Sequence, residues 1–384
     1  MGVLDNVKVL DLSEKLSGSL ATMYLKNLGA RVTKIENPVA GDPIRQWQPM
    51  QNGHSLYFNY LNNGKESVAI DIRTEEGREL LMKMVPHYDV VCLDMEPRQR
   101  EELNLTYEQL KEANNTLIYA GCSNFGDEGP MKYKAGSSLV VQAKGVAMDM
   151  TGVIDEYPIQ AAPSITEHYA AGYLATGVLM ALTAKIVSGE GQKVDISLQD
   201  SIFSSIEAAP AAYSTIGEIH TRKGNFDPSA APYDTFKTID GHVAIGCATQ
   251  QQWERLCDEF QMDTLKNDPR FTDNEGRRGD YLFVLRPLLE VIFQEYTTGE
   301  IEKRCQKQKI PCSEVLTIAE ITDKPHIRDN GFLRHVESEK AGAFIRPELA
   351  FLLHETPATI YADAPELGEH TTETLAEIGL KEAM

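Results

Sequence analysis

Cysteine is sparse in this 384-residue sequence: six residues, Cys92, Cys122, Cys247, Cys257, Cys305 and Cys312, none in a C-x-x-C pair. That excludes a disulfide framework and the common zinc spacings, and the six read as reduced thiols. Basic residues are also few, 37 against 57 acidic ones, and the resulting charge of -20 repels nucleic acid and anionic membrane surfaces. An anionic ligand must then be held by short-range hydrogen bonds, helix N-termini and a few lysines or arginines. No apolar run approaches the ~18 residues needed to span a bilayer. The N-terminal "MGVLDNVKVLDLS" has no basic segment leading into an apolar one, so no membrane association and a cytoplasmic location are expected. There is no G-x-G-x-x-G after the first strand, no Walker A loop, no H-E-x-x-H and no G-x-S-x-G. The histidines show no metal-ligand spacing, and no metal site is expected.

What is present is an ordinary globular composition, 42% hydrophobic and 24% charged, in a chain long enough for two domains. The first half alternates β-branched runs with amphipathic stretches: "VKVLDLS", "SLATMYLKNLG", "RVTKIE", "SVAIDI", "EEGRELLMKMV", "DVVCLD", "TLIYAGCS". This pattern predicts an α/β fold with a mainly parallel sheet covered on both faces. Gly29 reads as a helix stop, and Cys92 as a buried strand residue. The Gly-, Pro- and Asp-rich "IHTRKGNFDPSAAPYDTF" marks a loop leading to a second domain. We assign residues 1–200 and 330–384 to a large α/β domain, 201–225 to a linker and 226–329 to a smaller α+β domain. The latter starts with a hairpin turned at Asp240-Gly241; a second hairpin is read in "RHVESEKAGAFIRPEL" and a threonine-capped helix in "GEHTTETLAEIGL".

One stretch admits two readings. "SITEHYAAGYLATGVLMAL", residues 164–182, begins a stretch that predicts a long buried helix over residues 165–187, apolar on nearly every side. Ser164 and Glu167 fit the S-x-x-E capping box, a purely structural role. A carboxylate at a helix start is equally suited to nucleophilic chemistry, because the helix N-terminus favours negative charge.

Seven phrases in order, "GARVTKIENPVAGDPIR", "NNGKESVAIDIRTEEGRELL", "LDMEPRQREELNLTYEQL", "SNFGDEGP", "VVQAKGVAMDMTG", "SGEGQKVDISLQDS" and "APYDTFKTIDGHVAI", resemble the class III CoA-transferase family. That family includes carnitine and bile-acid CoA-transferases, formyl-CoA transferase and α-methylacyl-CoA racemases. The resemblance implies a large Rossmann-like domain built from both chain ends, an inserted small domain and an interlocked homodimer. It also implies a carboxylate nucleophile, usually aspartate, at the start of the long helix. Counting back from Ala181-Leu182 and Gly177 places it at Glu167; aligning on Gly172 places it at His168. Glutamate adds a methylene, about 1.5 Å of reach. On the CoA side the resemblance points to Leu16, Lys34, Arg45, Arg73, Asp94, Arg98 and Ser138, with Arg100 a further cation nearby. The resemblance also places Ala230 and Ala231 in a family loop that shields the reacting carbonyl from water, the other reading being an ordinary interdomain linker. The implied reaction moves CoA from an acyl-CoA thioester to a carboxylic acid through anhydride and glutamyl-CoA intermediates, with the CoA thioester as substrate and no permanently bound cofactor. A racemase acting at an acyl-CoA α-carbon and a non-catalytic subunit of a mixed dimer are the alternatives.

Overall fold

The computed structural model describes residues 2–162, 164–358 and 362–380. The chain divides into two units, one of Met1–Met148, Gln160–Glu218 and His326–Met384, the other of Asp149–Ile159 and Ile219–Pro325. The segment assigned to a linker is not one: residues 201–218 belong to the larger unit and carry helical turns that extend its chain.

In the larger unit six parallel strands, β1 (Lys8–Asp11), β2 (Arg31–Glu36), β3 (Glu66–Ala69), β4 (Val90–Leu93), β5 (Ile118–Ser123) and β6 (Lys193–Ser197), lie in the order 3-2-1-4-5-6. This is the Rossmann order, whose strand direction of growth reverses between β1 and β4. Strands buried on both faces need apolar residues at every position, and β4 and β5 are buried throughout. Successive residues feed opposite cores: Val9, Val90 and Ile118 join one cluster, Leu10, Val91 and Tyr119 the other. Edge strand β6 carries Lys193 and Asp195, charges that discourage further pairing.

Four helices matter below: α1 (Leu16–Asn27), α2 (Ser138–Lys144), α3 (Ile165–Ser188) and α4 (Leu198–Phe203). Helix α1 ends where expected, with Gly29 at φ +110. Helix α3 is not buried on all sides. Ala170, Ala171, Leu174, Val178 and Ala181 enter the core, and Gly177 abuts Val194 of β6, while Tyr169, Tyr173, Met180, Ile186 and Val187 are exposed. By length and composition α3 is apolar enough to cross a membrane, contrary to the expectation that no run approaches that length. Its ionisable residues cluster near its ends, which leaves the middle continuous.

The smaller unit folds around a three-stranded antiparallel sheet, β7 (Tyr233–Lys237), β8 (His242–Gly246) and β9 (Cys312–Glu314), in the order 9-8-7. The β7–β8 hairpin turns at Asp240-Gly241, where Thr238 N–H donates to the Gly241 carbonyl at 3.0 Å. Trp253, Phe236, Phe293 and Tyr281 fill its core. The second hairpin forms between Leu333–Ser338 and Gly342–Pro347 in the larger unit. The final helix, Thr371–Glu377, is preceded by His370 rather than capped by a threonine; the Thr371 hydroxyl accepts from Ala69 N–H instead, at 2.9 Å.

Candidate active site

Parallel sheets of this order bind ligands at the carboxyl ends of the strands, beside the point where the order reverses. Two cavities of the larger unit are built from residues that follow those ends. The larger, about 590 Å³, is lined by Lys15, Leu16, Ser138, Ser164, Glu167 and Leu198, with Ser17, Trp47, Tyr57 and Asn124 among its other walls. The starts of α1, α2, α3 and α4 all contribute. Of these α1 and α3, the two long helices, bring the strongest N-terminal fields to the cavity.

The capping reading of Glu167 is not realised. Ser164 has φ -68 and ψ 59, away from the extended conformation of an N-cap, and makes no side-chain cap bond. Glu167 instead takes the Ser138 hydroxyl onto Oε2 at 3.1 Å, and Gln142 Nε2 donates to Ser138 Oγ at 3.4 Å. No donor among the described residues engages Glu167 Oε1. His168 is exposed, pairs through Nδ1 with the Ser164 carbonyl at 2.8 Å, and is not a wall of the cavity.

Leu16, Ser138 and Glu167 are thus brought together, and the remaining expected residues are dispersed. Lys34 is fully buried, its ammonium 2.6 Å from Asp42 and 2.6 Å from the Ser13 carbonyl. Burial works against its charge, but the Asp42 and Asp11 carboxylates prevail and hold its pKa above the usual lysine value. Arg45 is bidentate on Glu36, both bonds 2.7 Å, and lies over the Phe58 ring. Lys34 and Arg45, two of the cations expected on the CoA side, are therefore committed to internal carboxylates. Asp94 is buried and accepts backbone N–H bonds from Glu14, Lys15 and Gly18 at 2.8, 3.0 and 3.2 Å, so it shapes the β1–α1 turn from behind. Burial pushes its pKa up to about 6, against the pull of Lys15. Arg98 is exposed over the Tyr133 ring, and Arg100 is buried on the Met95 and Cys122 carbonyls and on Asp127. Ala230 and Ala231 belong to the smaller unit, both buried; Ala231 donates its N–H to Asn274 and accepts from Arg277.

Arg73 lies on the smaller cavity, about 240 Å³, beside Glu14, Glu36, Asp71 and Glu102. Glu14 is held above the ordinary glutamate range by burial and by Asp42. Behind this wall Asp11 accepts from Lys65 at 2.9 Å and Thr22 at 2.8 Å. Burial alone would raise the Asp11 pKa, but Lys65 and Lys34 hold it well below the carboxylate range. Sequence reading missed Lys15, Trp47, Tyr57 and Asn124 as walls of the larger cavity. The signal for Lys15 and Asn124 was position: each directly follows a parallel strand or its turn.

A Rossmann-ordered sheet with a partly exposed carboxylate at the start of a long helix, set in a cavity at the strand ends, defines an α/β enzyme suited to acyl-group chemistry. The comparisons agree. Residues 4–371 match CoA-transferase family III, and the chain belongs to that family. It is 32% identical over 382 residues to a succinyl-CoA–D-citramalate CoA-transferase of Chloroflexus aurantiacus, covering 99% of this chain and 95% of the relative. It is 34% identical to a succinyl-CoA:mesaconate CoA-transferase of Haloarcula marismortui, covering 99% and 97%. In structure it resembles a CAIB/BAIF family protein from Brucella suis, with TM-score 0.88 and 29% identity over 98% of this chain and 99% of that one. The protein is a CoA-transferase that takes an acyl-CoA thioester and a carboxylic acid as substrates. That favours transfer over the racemase and non-catalytic readings.

Proposed function

We propose that Glu167 is the nucleophile of this transfer and that the acids exchanged are short dicarboxylic acids. The observation that carries the first part is the release of Glu167 from its cap: one oxygen is oriented by Ser138 and the other is left open to the cavity. Oε1 attacks the thioester carbonyl, the C–S bond breaks and CoA thiolate leaves, giving a mixed anhydride. The thiolate then attacks the Glu167 carbonyl, releasing the donor acid and leaving a glutamyl-CoA thioester. The acceptor carboxylate attacks that thioester in turn, and the thiolate it frees attacks the acceptor's acyl carbon, which regenerates Glu167. Leu16 and Ser17 line the cavity in the first turn of α1, where N–H groups have no intrahelical partner and are suited to stabilise the oxyanion. Each step exchanges carboxylate and thiolate, so none calls for a resident cofactor.

Both relatives described above are named for succinyl-CoA and a dicarboxylic acid, which supports the second part. The working form in this reading is a cytoplasmic homodimer. The exposed apolar residues of α3, and a further helix, Ala209–Ile216, that buries none of its residues, support a second copy covering them. The six free cysteines, five of them buried, suit a reducing compartment. The test is to incubate the protein with succinyl-CoA and free mesaconate or citramalate and follow new acyl-CoA by mass spectrometry. Transfer by wild type and its loss in Glu167→Gln supports the reading; transfer surviving in that variant overturns the role of Glu167.

A further inference from the structure

The larger cavity contains a second built feature besides Glu167. Lys15 is the one cationic side chain among the described residues that line it. Its ammonium lies 2.6 Å from Glu96 Oε1, yet its side chain remains 44% exposed. The same carboxylate oxygen accepts from Asn124 Nδ2 at 2.6 Å, and Asn124 also lines the cavity. Glu96 is not one of the lining residues, so it holds two cavity donors from behind. An ammonium has three N–H bonds and a carboxamide two. With one of each spent on Glu96, both groups keep donors for a ligand. Asn124 is almost completely buried, and its place depends on Gly136: a Cβ there would lie 2.7 Å from Asn124 Cγ and 2.8 Å from its Cβ.

We propose that Lys15 and Asn124, bracketed by Glu96, bind the non-reacting carboxylate of a dicarboxylic acid while its other end reacts at Glu167. The inference rests on the transferase reading and adds the residues that set its acid selectivity. A monocarboxylic acid leaves the remaining donors of this pair unused. A dicarboxylic acid brings a second anion into a protein of charge -20, and needs a local cation to offset that repulsion. Glu96 touches no substrate and acts as a positioning residue. It neutralises part of the Lys15 charge when the cavity is empty and fixes both donors, so less ordering is lost on binding.

The test compares kcat/KM for dicarboxylic acceptors with that for monocarboxylic acceptors of similar length, using one acyl-CoA donor. Lys15→Met and Asn124→Ala are expected to lower the dicarboxylate to monocarboxylate ratio by roughly tenfold or more, mainly through KM. Glu96→Gln is expected to lower the same ratio by a smaller factor, again through KM rather than kcat. Lys15→Glu provides the positive readout: its preference should move towards an acceptor bearing a distal ammonium, such as β-alanine, which a misfolded variant cannot show. Equal loss on both acid classes in the Lys15 and Asn124 variants overturns the inference, as does an unchanged ratio. A wild-type protein that transfers CoA but prefers monocarboxylic acids overturns the inference and leaves the transferase reading standing. A wild-type protein that transfers CoA to neither class overturns both.

Discussion

At Thr297 in the smaller unit, the hydroxyl accepts from Glu300 N–H at 3.3 Å and the Glu300 carboxylate takes Thr297 N–H at 2.9 Å; at Ser164 in the larger unit neither bond forms. The two sites share the S/T-x-x-E spacing. Thr317 and Glu320 repeat the closed version, with bonds of 3.3 and 2.7 Å. The backbone decides the outcome. Thr297 is extended at φ -76 and ψ 157, which aims its hydroxyl along the first turn, whereas Ser164 at ψ 59 does not. Ser138 and the cavity then give Glu167 somewhere else to go. One sequence motif thus produces a helix cap where nothing competes for the glutamate, and an available carboxylate where a neighbouring serine does.

Substitutions at the two sites should have opposite consequences. Glu167→Gln is expected to cost on the order of 10³-fold or more in kcat, with thermal stability unchanged, because no cap is lost. Steady-state kinetics and a melting curve on the same preparation check it; an unstable variant would restore the capping role. Ser138→Ala removes the donor that orients Oε2 and should lower kcat by roughly tenfold, with little change in KM. Thr297→Ala should destabilise the smaller unit by about 1 kcal/mol, read by denaturant unfolding, whereas Ser164→Ala should change stability by less than about 0.5 kcal/mol.

A pH titration sharpens the contrast further. The bonds to Thr297 and Thr317 hold Glu300 and Glu320 below the ordinary glutamate pKa of 4.5. A depressed folded-state pKa gives stability that is present above the unfolded value and is lost as pH falls through the folded one. Acidification below about pH 4.5 should therefore erode the caps, and Glu300→Gln should reduce that part of the acid sensitivity.

The parallel sheet was readable because strands buried on both faces must be apolar at successive positions, as in "DVVCLD" and "TLIYAGCS". The β7–β8 hairpin was readable from its Asp240-Gly241 turn. The exposure of α3 was not, since a helix apolar all round carries no periodic signal of which face is covered. Glu167 emerged from its place at the helix start, but its choice between cap and cavity depended on Ser138, 29 residues away. The fate of the cations was similarly hidden. Lys34 and Arg45 look like ligand contacts in sequence, and only the fold brings Asp42 and Glu36 against them. Lys15 looks like any solvated lysine until Glu96 and Asn124 are seen beside it across the sheet.

Glu167 should carry the acyl group and then CoA. Purified protein incubated with succinyl-CoA, quenched with hydroxylamine and digested for peptide mass spectrometry tests it directly. A hydroxamate is expected on Glu167 and should be absent in Glu167→Gln. A hydroxamate on a different residue, or none from folded protein that is turning over, would contradict it.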